Sequence, residues 1–131
     1  MEDFKKLFES FSSLKVGVIG DVMLDTYMWG KVDRISPEAP VPVVSLHKKE
    51  YRIGGAGNVA LNCQSLGAQV SILSVTGNDT EGVILEELFD SSNIDSSCLV
   101  KSSNRITTNK TRVISRNQQM MRLDAEVIHD L

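Results

Sequence analysis

Apolar residues recur along this chain with two different periods, and each change of period marks an element boundary. Val16, Val18 and Ile19 form a short apolar run closed by Gly20-Asp21, the pattern of a strand buried in a parallel sheet. Val59, Ala60, Cys63 and Leu66 instead recur at helical spacing, and Gly67 is the stop signal. Gln69–Thr76 alternates as a strand ending in Gly77. Asn78-Asp79-Thr80-Glu81 then reads as a capping box, with Asn78 as the cap and Glu81 reaching back. The helix it opens carries Ile84, Leu85, Leu88 and Phe89 and breaks at Ser91-Ser92-Asn93. Ahead of all these, Met1–Ser13 predicts a short amphipathic helix with Phe4, Leu7, Phe8 and Phe11 on one side.

Between Tyr27 and Arg52 the pattern is different. Three prolines in the run Ile35-Ser36-Pro37-Glu38-Ala39-Pro40-Val41-Pro42 exclude a helix, so two extended strands joined by a proline-rich turn are expected to project from the main sheet. Apolar strands with unpaired edges make a poor free surface, so this pair should cover a ligand, meet another subunit, or both; a folded-back edge hairpin is the plain alternative. Cys98–Lys101 suits another short strand. Ile106–Ser115 is extended, Asn117-Gln118 is a turn, and Met120–Leu123 returns as a strand. The order of strand, extended pair, helix, strand and helix predicts an α/β fold whose parallel strands are joined by crossover helices.

Candidate chemistry gathers where the strands end. Ligands of open α/β sheets collect beyond the carboxyl ends of the strands, where Asp21 and Asp25 fall, and a carboxylate there can accept hydrogen bonds from sugar hydroxyls. Gly54-Gly55 runs directly into a helix with Asn58 in its first turn, a junction whose backbone can approach a ligand closely and offer N–H donors. Thr108, Lys110 and Arg112 share a strand face by period-two alternation, and two cations aimed one way suit a phosphate. Each signal also has a plain reading: a tight turn before a packed helix, a capped turn with a solvated carboxylate, or a charged edge that blocks aggregation.

Other sites are disfavoured. Gly55-Ala56-Gly57-Asn58-Val59-Ala60 fits the dinucleotide fingerprint, and Asp79 lies at a suitable distance, but the first strand ends in Asp21-Val22-Met23-Leu24-Asp25 instead of a glycine turn. No phosphate-binding G-x-x-x-x-G-K-[ST] occurs. A formal net charge of −3 over 131 residues, with scattered lysines and arginines, provides no field for nucleic acid. Cys63 and Cys98 form no C-x-x-C, so a zinc site and a disulfide scaffold are not expected, and His47 and His129 are read as surface or packing residues. No apolar run is long enough for a membrane span and no signal peptide is apparent, which makes the cytoplasm the expected location.

Taken together, the chain resembles the amino-terminal half of the PfkB/ribokinase family of sugar kinases. The matching pieces are Gly20-Asp21-Val22-Met23-Leu24-Asp25, the Gly54-Gly55 loop into Asn58-Val59-Ala60, and Thr76-Gly77-Asn78-Asp79-Thr80-Glu81-Gly82. Many relatives have three residues between the glycine pair and the asparagine; here there are two, Ala56 and Gly57, which is similar to the D-glycero-β-D-manno-heptose-7-phosphate kinases. Asp33–Val44, Thr107–Val113 and Asn117–Asp124 are similar to the same subgroup. The resemblance implies a ribokinase-like α/β fold, a parallel sheet flanked by helices with a small β-sheet lid, spanning approximately residues 27–52 and 106–116 within a single domain 1–131.

Position by position, Asp25 matches the family aspartate that holds sugar hydroxyls, and Gly54, Gly55 and Asn58 match its sugar-binding loop. Lys110 and Arg112 are candidates for the sugar phosphate, with Arg122 as a further one. The implied reaction transfers the γ-phosphoryl group of ATP, with Mg2+, to the anomeric hydroxyl of a small-molecule phosphosugar in ADP-heptose and lipopolysaccharide synthesis. Its catalytic base belongs to a Gly-Ala-Gly-Asp motif that this sequence lacks, so no catalytic residue is assigned. The chain alone is expected to be inactive and to hold neither ATP nor Mg2+ tightly. The lid also implies a homodimer. Two alternatives stay open: a non-catalytic sugar-binding or dimerisation module, and a kinase for another phosphosugar such as fructose 6-phosphate.

Overall fold

A computed structural model describes residues 2–129. Among the described residues seven strands fall into two sheets, and a helix α1 (Glu2–Ser10) with a following 3₁₀ turn precedes them. β1 (Lys15–Ile19), β4 (Gln69–Gly77) and β5 (Ile94–Ser102) form a parallel sheet in the order β1-β4-β5. β2 (Val22–Ile35), β3 (Pro42–Gly55), β6 (Asn109–Ser115) and β7 (Gln118–Ala125) form the second sheet in the order β3-β2-β6-β7. Within it β2 pairs antiparallel with β3 but parallel with β6, and β7 folds back on β6.

The crossovers are α2 (Ala56–Ser65), between β3 and β4, and α3 (Thr80–Ser91), between β4 and β5. Parallel pairing sets Val16 beside Val70 and Val18 beside Ile72, and this face meets the helices through Ala60, Leu85 and the fully buried Phe89. Val22, Leu24 and Ile53, at the root of the second sheet, enter the same core. The two sheets therefore share one apolar anchor, and the site above it stands on rigid ground. Ile72 is 0% exposed, so Ile72→Val is expected to cost about 1 kcal/mol in urea unfolding with an unchanged m-value.

The expected order of elements is observed, with physical corrections. The second sheet extends beyond residues 27–52 and 106–116: β2 begins at Val22, β3 continues to Gly55, and β7 adds a fourth strand. The cap of α3 is Asp79, not Asn78; its carboxylate accepts from the Gly82 N–H at 2.9 Å. In α2 the buried face is Gly57 and Ala60, whereas Val59 and Leu66 are exposed, because Gly57 lets the helix approach Ile53 and Phe89 closely. β1 is only partly buried, on the face of Val16 and Val18, and Ile19 lies exposed on the other. The apolar side of α1 is likewise open at Phe4, Leu7 and Phe8, while Met1 of the predicted helix lies outside the described residues. Among the described residues no helix is long and apolar enough to cross a membrane.

Candidate functional site

The site is assembled on one face of the four-stranded sheet. Alternation along β2 points Asp25, Tyr27 and Trp29 the same way. Register then sets Arg52, Glu50 and Lys48 of β3 opposite these three residues on one side, and Lys110, Arg112 and Ile114 of β6 on the other. β7 places Asp124 beside Lys110 and Arg122 beside Arg112. Four strands thus build a checkerboard of carboxylates and cations around two aromatic rings.

Asp25 lies at its centre. Its carboxylate accepts a short, 2.5 Å hydrogen bond from Arg112, and this bond holds the Arg112 guanidinium even more firmly protonated than usual, against the opposing effect of burial. Arg112 and Arg52 both lie over the Tyr27 ring, at 5.3 and 4.6 Å from its centroid. Tyr27 stacks on Trp29 with centroids 5.5 Å apart, and the Lys48 ammonium lies 4.6 Å from Trp29. Hydrogen bonds from Lys48 and then Arg52 hold the partly exposed Glu50 carboxyl below the usual carboxylate range. The Lys110 ammonium is shared between Asp124 at 3.6 Å and Glu126 at 3.5 Å.

Glycine is required at the end of β3 for two reasons. A Cβ at Gly54 would lie 2.5 Å from Asp25 Oδ2 and 2.8 Å from Met23 Cγ, so its absence makes room for the carboxylate. Gly55 has φ +60° and ψ −136°, and a Cβ there would collide with the Asp21 carbonyl oxygen, which accepts the Ala56 N–H at 2.8 Å. Asp21 therefore acts through its backbone, closing the junction. No side chain caps α2, whose first turn holds Asn58 with its side chain exposed.

Of the residues singled out from sequence, Asp25, Gly54, Lys110 and Arg112 converge on the one face. Gly55 forms the hinge beside it, and Asn58 follows on the helix without meeting the others. Arg122 shares the face but is half exposed and chelates Asp124, at 2.9 and 3.0 Å. A cavity of about 450 Å³ adjoins the group at the carboxyl end of β1 and is lined among others by Asp21, Met23, Arg105, Thr108 and Glu126. It touches the checkerboard through Met23, Thr108 and Glu126, although Asp25, Asn58, Lys110 and Arg112 do not line it. A second cavity, about 480 Å³, lies at the opposite ends of the parallel strands beside Lys15, Gln69 and Asp95 and contains none of these residues.

Tyr27, Trp29, Glu50, Arg52 and Asp124 were not anticipated. The alternation Asp25-Tyr27-Trp29 was the available signal for the rings. Arg52 was hidden because its place beside Asp25 follows only from the pairing of β2 with β3; the shifts at Trp29/Gly30 and Val32/Arg34 cancel, so Asp25 and Arg52 keep the register set by Ile35 and Pro42. Among the described residues no group of three or more His, Cys, Asp or Glu could hold a metal ion.

A parallel sheet with crossover helices, rooted to a small sheet whose charged face overhangs the strand ends, is the ribokinase-like architecture. A carbohydrate kinase from Agrobacterium tumefaciens superposes with a TM-score of 0.68 at 20% identity, covering 86% of this chain and 35% of that one. A ribokinase from Cryptococcus neoformans var. grubii serotype A in complex with ADP superposes with 0.62 at 18% identity, covering 86% and 34%. Residues 13–130 match the family described as pfkB family carbohydrate kinase, and the chain belongs to that family. The bifunctional protein HldE of Geobacter sulfurreducens is 49% identical over 125 residues, which are 95% of this chain and 26% of that protein. The chain thus spans about a quarter of the length of the curated relatives it matches.

Proposed function

We propose that this chain forms the sugar-binding part of an ATP-dependent carbohydrate kinase that phosphorylates D-glycero-β-D-manno-heptose 7-phosphate at its anomeric hydroxyl, in ADP-heptose synthesis for lipopolysaccharide. The observation that carries the reading is the Asp25–Arg112 pair facing the space left by Gly54: an acceptor for hydroxyls beside a cation for phosphate. The kinase class is supported by family membership, and the heptose by the two-residue spacing from Gly55 to Asn58 and by the similarity to HldE proteins.

In this reading Asp25 accepts sugar hydroxyls, Gly54 and Gly55 let the ring approach the backbone, and Asn58 adds a polar contact from α2. Lys110 and Arg112 receive the 7-phosphate, with Arg122 at the outer rim. Both inner cations are already oriented by acids, so their side chains are ordered before the ligand arrives. Mg-ATP supplies the phosphoryl group; no residue of this chain is assigned to it or to the catalytic base. A lid-to-lid homodimer in the cytoplasm completes the proposal, supported by the exposed Ile35, Leu46, Met121 and Leu123 of the second sheet.

Calorimetric titration with heptose 7-phosphate and with fructose 6-phosphate tests the assignment. The heptose should bind more tightly, and Lys110→Ala should weaken it about tenfold, the loss of one charge-assisted contact. Equal affinity for both sugars favours a broader phosphosugar kinase, and no affinity for either leaves only a dimerisation module.

A further inference from the structure

The Gly77-to-Gly82 motif takes no part in the checkerboard, yet it is bonded to the segment that leads into β6. Thr107, only 4% exposed, lies two residues ahead of β6. Its N–H donates to Asp79 Oδ2 at 2.7 Å and its hydroxyl donates to Asp79 Oδ1 at 2.6 Å, while the hydroxyl oxygen accepts the Gly77 N–H at 2.9 Å. Asp79 Oδ1 also accepts the Gly82 N–H, so a single carboxylate joins the start of α3 to the segment that leads into β6. Burial alone would push this carboxyl up, but the bonds from Thr107 and Gly82 prevail and hold it below the usual range.

Both glycines are needed by the same contact. A Cβ at Gly77 would lie 2.6 Å from the Thr107 nitrogen and 2.8 Å from the Arg105 carbonyl oxygen. One at Gly82 would lie 2.7 Å from the Gly77 carbonyl oxygen and 3.0 Å from Thr107 Oγ1. The motif is a socket shaped around Thr107. The next residue is tied as well, for the Leu24 N–H donates to the Thr108 carbonyl at 2.8 Å, immediately before Asp25.

This matters because β2 and β6 pair in parallel, and no hairpin turn joins them to fix their register. A slip of one residue would turn Lys110 and Arg112 to the opposite face and separate Arg112 from Asp25. We infer that the Asp79–Thr107 latch sets this register, making Asp79 and Thr107 positioning residues for the phosphate-binding cations. The inference rests on the phosphosugar reading for its catalytic consequence, but not for its structural one.

The test compares Thr107→Val, which keeps shape and removes the hydroxyl, with Thr107→Ser, which keeps the hydroxyl, in the full-length protein. For Thr107→Val the KM for heptose 7-phosphate should rise about tenfold with the KM for ATP unchanged, and Thr107→Ser should stay within about twofold of the parent. Amide hydrogen exchange in Asn109–Ser115 should accelerate in the valine variant while that of β4 stays slow. A valine variant that melts earlier but keeps the parental sugar KM and β6 exchange overturns the latch. If the valine variant does not fold, Asp79→Asn is read by the same two measurements against the same criteria. If the parent neither binds nor turns over the phosphosugar, the phosphosugar reading fails, and β6 exchange alone decides the latch.

Discussion

Asp25→Asn should lower kcat/KM for the phosphosugar by about 10²-fold or more while leaving the melting temperature within a few degrees of the parent. Asparagine keeps the shape of the side chain but exchanges charge-assisted hydrogen bonds for neutral ones, and it leaves Arg112 without its anion. A charge-assisted hydrogen bond lost to the sugar costs about 1.5–3 kcal/mol, about 10²-fold at the upper end, whereas the Asp25–Arg112 pair is partly exposed and contributes less to the fold. The fold should tolerate the change because the core at this point is made by Leu24 and Thr26, which face the other way and are 0% and 1% exposed. Steady-state kinetics on the full-length protein with a parallel thermal melt would check this. Activity within threefold of the parent would remove Asp25 from the site.

Gly55→Ala is the complementary experiment, since it should unsettle the fold itself. At φ +60° and ψ −136° an L side chain is strained, and the added methyl meets the Asp21 carbonyl oxygen, a backbone atom that cannot rotate away. Strain and collision together should cost about 3 kcal/mol or more of unfolding free energy. Denaturant unfolding measures it directly. A loss under about 1 kcal/mol would mean that the β3–α2 junction relaxes and that this glycine is dispensable.

Much of this architecture could be read from the residues because local rules and global demands agree. The alternation in Gln69–Thr76, the proline run from Pro37 to Pro42 and the helical spacing of Leu85 and Phe89 each specify an element that the core then accepts. Disagreements arose where a tertiary partner decided between local options. Asn78 and Asp79 are both good caps, and the choice fell to Asp79 because Thr107, distant in sequence, supplies two more donors. Val59 has the apolarity for a core position, but Gly57 and Ala60 let α2 approach so closely that the buried stripe is theirs. For the site, Asp25, Gly54, Lys110 and Arg112 were accessible through alternation and glycine logic. Arg52 and Asp124 depend on cross-strand register, which a single strand does not reveal and which, for Asp124, the shift at Val113/Ile114 displaces by one residue.

The parallel contact between β2 and β6 also has a kinetic meaning. The β2–β3 hairpin can close early from neighbouring residues, but one edge of β2 then stays bare until β4, α3 and β5 have been made and β6 arrives. During that interval the strand bearing Asp25 is an open template for any other extended chain, so misassembly should compete with folding most strongly at high protein concentration.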